Sequence, residues 1–214
     1  MPSNTNREYR SIELRAKKPE AEENGYIVDG YATTFNEPYL LYRDGDYDVW
    51  EQVDRSAFSG TDQSDVIFQF DHAGMVYART RNNTLTLSED DHGLNVVADL
   101  SSTEASRGIW DAIDKGLIDR MSFAFTVAED EYAEEEQGNG RMKLLRTIKR
   151  IGKLYDVSAV SLPANEGTSI SARTKELCDG EIKKFEAERL HAQEIKEKRE
   201  AILARLRQED KTND

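Results

Sequence analysis

The chain has 214 residues and a net charge of −13 at neutral pH, with 33% of its residues charged and 37% hydrophobic. That deficit of positive charge excludes a phosphate-tracking nucleic-acid binder, which needs clustered Lys and Arg. A single cysteine, Cys178, excludes an intramolecular disulfide, and no apolar run approaches the ~18 residues that cross a bilayer.

From the N-terminus, residues 1–8 read as a loose arm without the apolar core of a signal peptide, so a cytoplasmic protein with no membrane partner is expected. EYRSIELRAK alternates and predicts a strand, and YIVDGYATTF, rich in β-branched and aromatic residues, predicts another. NEPYLLYRDGDYDVWEQVD reads as a loop with an Asp-Gly turn and a short strand. DVIFQFDH is a strand with Val66, Phe68 and Phe70 on one face, followed by a turn at Ala73-Gly74. NTLTLSED and GLNVVADL form a hairpin pair.

The period changes at SSTEASRGIWDAIDKG. Ser102 or Thr103 can cap, Gly116 can terminate, and Ala105, Ile109, Ala112 and Ile113 share a helical face. The strand IDRMSFAFTV follows, and then residues 129–140 read as an exposed acidic loop or hairpin tip. RMKLLRTIKRIGKLYDVSAVSLPA returns as strands. From Thr174 the chain lacks Pro and is rich in Glu, Lys, Ala and Leu, which predicts a long helix with a thin apolar stripe through Phe185, Ala192, Ile195, Ile202 and Leu206. The expected organisation is a mainly β body with helices (α+β) over residues 1–173 and a helical tail over 174–214.

Within IDRMSFAFTV, Met121, Phe123 and Phe125 share one face, and Ser122, Ala124 and Thr126 the other. A small hydroxyl on a rigid strand reads either as the wet side of a half-buried strand or as a held nucleophile. Of three histidines, His191 lies on a polar helix and His92 in a turn. His72 ends a strand beside a glycine, where it can face a cleft. Asp156 stands in the apolar segment LYDVSAV, where a bare charge is expensive. It reads as an edge carboxylate in water or as one that orients a histidine. Serine needs a base within hydrogen-bond reach; His72, Ser122 and Asp156 together would supply base, nucleophile and orienter. No metal-ligand spacing, phosphate loop or Gly-x-Ser-x-Gly elbow occurs, so no metal or cofactor is expected.

At these residues the chain resembles the prohead maturation proteases of tailed phages, serine peptidases with the herpesvirus-assemblin-like fold. The segments that carry the resemblance are GYATTFNEPY (30–39), FQFDHAG (68–74), LTLSEDDHGLNVVADL (85–100), GLIDRMSFAFTV (116–127) and LYDVSAVSLPANEGTSI (154–170). The resemblance implies a closed β-barrel body with flanking helices, His72 as general base, Ser122 as nucleophile and Asp156 as third member. It implies an oxyanion site in the turn LPANEG, near Ala164, Asn165 and Glu166. It further implies an endopeptidase that cuts scaffold or capsid-protein segments and itself, inside the procapsid in the host cytoplasm, and it admits a homodimer. Self-cleavage would fall in the N-terminal arm, residues 129–140 or the tail. A scaffold or assembly protein that keeps the fold without the activity is the alternative.

Overall fold

A computed structural model describes residues 7–16, 25–161 and 172–212. The chain divides into two compact units, residues 1–175 and 176–214.

Among the described residues the first unit is built on ten strands: β1 (Glu8–Ala16), β2 (Ile27–Thr34), β3 (Tyr39–Asp44), β4 (Tyr47–Val53), β5 (Ile67–Phe70), β6 (Ala73–Arg79), β7 (Leu85–Glu89), β8 (Gly93–Asp99), β9 (Arg120–Glu136) and β10 (Met142–Val160). One helix, α1 (Glu104–Asp114), joins β8 to β9. The order across the sheet is β3-β4-β10-β9-β1-β2-β8-β7, with β5 also paired to β10 and β6 paired to β5. The fold is thus mixed α+β and mostly strand.

Apolar residues from β2 and from β4 through β10 all enter one core, among them Val28, Val53, Phe68, Ala78, Leu85, Val96, Phe123 and Val157. A flat sheet of this width could not bring them together, so the sheet wraps around its own inner face. Among the described residues no strand pairing joins β6 to β7, so closure of the expected barrel is not part of the observed ladder.

Two elements differ from the sequence expectation. Residues 39–44, expected as loop, are β3, and they form a hairpin with β4 in which Leu41 and Tyr42 are buried. Residues 129–136, expected as part of an acidic loop, continue β9, and the turn is confined to Gln137–Arg141. The carboxylates tolerate the strand because Asp130, Tyr132 and Glu134 alternate with exposed Glu131, Ala133 and Glu135. Basic residues of β10 meet them: Arg146 bonds Asp130, and Lys143 and Arg150 lie beside Glu135 and Glu129.

Helix α1 begins where Thr103 Oγ1 accepts from Ser106 N at 3.0 Å, and it stops before Gly116, whose φ of +69° suits a residue without a Cβ. The second unit is carried by α2 (Ala172–Thr212), a helix with Leu177, Leu190, Ile195, Ile202 and Leu203 exposed along it. No helix among the described residues is long and apolar enough to cross a membrane.

Candidate active site

Strand β9 fixes the site. Met121, Phe123 and Phe125 enter the core, and Phe123 and Phe125 stack with centroids 4.6 Å apart. Ser122 and Ala124 therefore share the opposite face, and both are fully buried. Ser122 stands opposite Ser158 of β10, and Ala124 stands opposite both Asp156 of β10 and Tyr9 of β1. Two rows of side chains thus cross the sheet on one face.

Asp156 reaches that face through a bulge. Leu154 pairs with Phe125 on the core side, but the next partner of Ala124 is Asp156, so Tyr155 is an extra residue. A regular ladder would set Asp156 against Phe123 and turn the carboxylate into the core. The bulge re-aims it onto the face of Ser122.

His72 arrives from a third direction. Strand β5 runs parallel to β10, with Phe70 opposite Ala159, and the β5–β6 hairpin turns on two residues, Asp71 and His72. Both have positive φ, 48° and 55°. Such a two-residue turn matches the twist of a hairpin, but it usually carries Asn-Gly, and each non-glycine there costs about 1–3 kcal/mol. The turn is held by β10. Asp71 N donates to Ala159 O at 2.9 Å, and the Asp71 carboxylate accepts from Ser161 N and Ser161 Oγ, both at 2.8 Å. The turn expected at Ala73-Gly74 is therefore two residues earlier, and His72 sits in it rather than before it.

The imidazole folds back over the sheet. His72 Nδ1 lies 2.6 Å from Asp156 Oδ1, and Nε2 lies 2.7 Å from Ser122 Oγ. A carboxylate only accepts, so Nδ1 carries the proton and Nε2 is left free to accept from the Ser122 hydroxyl. Ser158 Oγ donates to the same Oδ1 at 2.8 Å. The Tyr9 ring meets the imidazole edge-on, with centroids 4.5 Å apart and planes at 68°. The His72 side chain is 18% exposed while Asp156 is 3% exposed, so the imidazole is the member of this group nearest solvent.

Sequence reasoning missed Ser158 and Tyr9. Ser158 carried a signal, since it lies two residues from Asp156 on the same strand face. Tyr9 carried none, because nothing local ties β1 to β9. The segment Ala164, Asn165 and Glu166 lies outside the described residues. His92 is exposed in the β7–β8 turn against Tyr31, and His191 is exposed on α2. Among the described residues, no group of three or more His, Cys, Asp or Glu is placed to hold a metal ion.

A second polar cluster lies on the other face of β1. Glu8 and Arg10 are buried there with Glu51 of β4 and Arg146 of β10. Arg10 Nη2 donates to Glu51 Oε2 at 2.7 Å, and Arg146 Nη1 donates to Glu8 Oε2 at 2.7 Å and to Glu51 Oε2 at 2.9 Å. Burial pushes the Glu8 carboxyl up, but hydrogen bonds and charge from Arg146 and Arg10 outweigh it and hold Glu8 below its ordinary range.

Comparison with known proteins adds an independent line. The family model described as Caudovirus prohead serine protease matches residues 10–181. The prohead protease of Enterobacteria phage HK97 is 30% identical over 149 residues, which is 68% of this chain and 59% of that protein. The chain thus aligns with less than two thirds of that relative's length. No solved structure matches the chain.

Proposed function

The chain belongs to the caudovirus prohead serine proteases, and from that premise we propose that it is a serine endopeptidase of phage capsid maturation. Ser122 is the nucleophile, His72 the general base and Asp156 the group that orients it. The observation that supports this reading most is the position of one imidazole, bonded to Asp156 at 2.6 Å and to Ser122 at 2.7 Å through its two different nitrogens.

Ser122 Oγ attacks the peptide carbonyl carbon while His72 Nε2 takes the hydroxyl proton. The imidazolium so formed is stabilised by Asp156, whose oxygen also receives the Ser158 hydroxyl. His72 then gives the proton to the leaving amine, and the C–N bond breaks to leave an acyl-Ser122 ester. Water, deprotonated by the same nitrogen, releases the acid and restores Ser122. Backbone N–H groups near Ala164, Asn165 and Glu166 remain our candidates for holding the oxyanion.

The substrates in this reading are scaffold or capsid-protein segments and the chain itself, cut inside the procapsid in the host cytoplasm. Residues 1–173 form the protease body in this reading. The tail, residues 174–214, docks on scaffold or capsid protein through its exposed apolar side chains. Should the protein dimerise, each triad stays within one protomer, since all three members come from one body.

The test is the intact mass of purified protein over time, wild type beside Ser122→Ala, with and without capsid-protein substrate. Fragments from wild type alone support the reading. No cleavage of either target by wild type favours an assembly protein that keeps the fold without the activity. Identical fragments from both proteins mean that Ser122 is not the nucleophile.

A further inference from the structure

The two faces of β1 do different things at the same place. Glu8 and Arg10 point into the buried ionic cluster, and Tyr9 between them points to the face of Ser122. Arg10 Nη1 also donates to Tyr9 O at 2.8 Å, so the cluster holds the backbone of Tyr9 as well as its neighbours. Opposite Tyr9 stands Ala124, and beyond Ala124 stands Asp156. The His72 ring touches Tyr9, Asp156 and Ser122, so it lies across Ala124 with Tyr9 as its wall on the β1 side.

That wall matters at one point of the reaction cycle. In the free enzyme two hydrogen bonds hold the imidazole. Once Ser122 is acylated, its oxygen no longer donates to Nε2, and only the bond to Asp156 remains. The ring sits at the tip of a two-residue turn and is already partly exposed. A single hydrogen bond leaves it free to rotate toward solvent about that contact. An aromatic ring packed edge-on against the imidazole, with centroids 4.5 Å apart, blocks the rotation.

Resting on the serine-protease reading, we propose that Tyr9 is a positioning residue. Strand β1, latched by Glu8 and Arg10 to Glu51 and Arg146, holds the Tyr9 ring against His72 so that the imidazole keeps its orientation when Ser122 is acylated. The N-terminal strand is then a part of the active site that contributes no atom to the chemistry.

The experiment compares wild type, Tyr9→Ala, Tyr9→Leu and Tyr9→Phe in the full chain by two readouts. The first is peptide cleavage, with kcat and KM separated. Tyr9→Ala is expected to lower kcat by about tenfold and to change KM by less than about twofold, and Tyr9→Phe to recover kcat to within about threefold of wild type. The second is the imidazole spectrum of His72 by NMR, where loss of the ring edge should shift its carbon-bound protons. Tyr9→Leu keeps apolar bulk on β1 and should behave as alanine does, which covers the case in which alanine fails to fold. Cleavage by Tyr9→Ala or Tyr9→Leu equal to wild type would overturn the proposal. So would Tyr9→Phe as impaired as alanine, because the hydroxyl and not the ring would then be at work. If wild type cleaves nothing, the protease reading fails by itself. The imidazole spectrum still decides Tyr9: unchanged His72 resonances in Tyr9→Leu would overturn its packing role.

Discussion

Ser158 and Ser122 face each other across the β9–β10 ladder, and Ser158 Oγ donates at 2.8 Å to the Asp156 oxygen that also takes the His72 Nδ1 proton. The Asp156 carboxylate is therefore itself held. A hydrogen bond to a charged group is worth about 1.5–3 kcal/mol, only part of which differs between ground and transition state. Ser158→Ala should lower kcat by roughly tenfold and leave KM nearly unchanged, as steady-state peptide cleavage will read.

Asp156→Asn should be far more damaging. The amide is isosteric, but its geometry favours the other imidazole tautomer, which places a proton on Nε2 and leaves Ser122 without a base. A loss of about 10⁴-fold in kcat is expected, with far-UV circular dichroism unchanged. A loss of less than tenfold would remove Asp156 from the triad.

Ala124 stands between Tyr9 and Asp156 in one row, and both of those residues touch the His72 imidazole. Ala124→Leu drives a larger side chain into that space, and the ring must move. A displacement of about 1 Å costs on the order of 10²-fold in rate, so Ala124→Leu should lose at least that much activity. Labelling of Ser122 by a fluorophosphonate should fall in parallel, since the same base activates it.

The ionic cluster makes a stability prediction. Glu51 is fully buried and accepts from Arg10, Arg146 and Tyr39. Glu51→Gln keeps the shape and removes the charge, which leaves two buried guanidinium groups short of a counter-charge. The expected cost is about 3–5 kcal/mol, measured by urea unfolding.

Acid should act through the same cluster. Glu8 titrates below its ordinary value of 4.5 because Arg146 and Arg10 outweigh its burial. Near that pH the unfolded chain binds more protons than the folded one, so stability rises with pH. The contribution of Glu8 is fully present above about pH 4.5 and is lost as pH falls through the lowered folded value. Glu8→Gln should flatten the pH dependence of unfolding below pH 4.5 and leave its slope between pH 5 and 8 unchanged.

The sequence by itself determined which face of β9 Ser122, the nucleophile we propose, would take. Met121, Phe123 and Phe125 alternate, so burying them forces Ser122 to the other face. It also marked His72 at a strand end and Asp156 in an apolar segment, and it marked α1 through Thr103 and Gly116. The long helix was legible for the same reason: its composition and its lack of proline act locally.

Tertiary structure decided what depends on pairing. Leu154 and Val157 both enter the core although they are three residues apart, which a regular strand forbids. That spacing was visible, but only the β9 partner shows that the extra residue is Tyr155 and that Asp156 turns outward because of it. The acidic stretch after Val127 became strand because β10 lay beside it with Arg146 and Lys143. Tyr9 reached His72 through a ladder between β1 and β9, more than a hundred residues apart in the chain. Periodicity is a property of neighbours along the chain, whereas register, bulges and the joining of distant strands are set by hydrogen bonds and packing across the sheet, and those form only when the whole body folds.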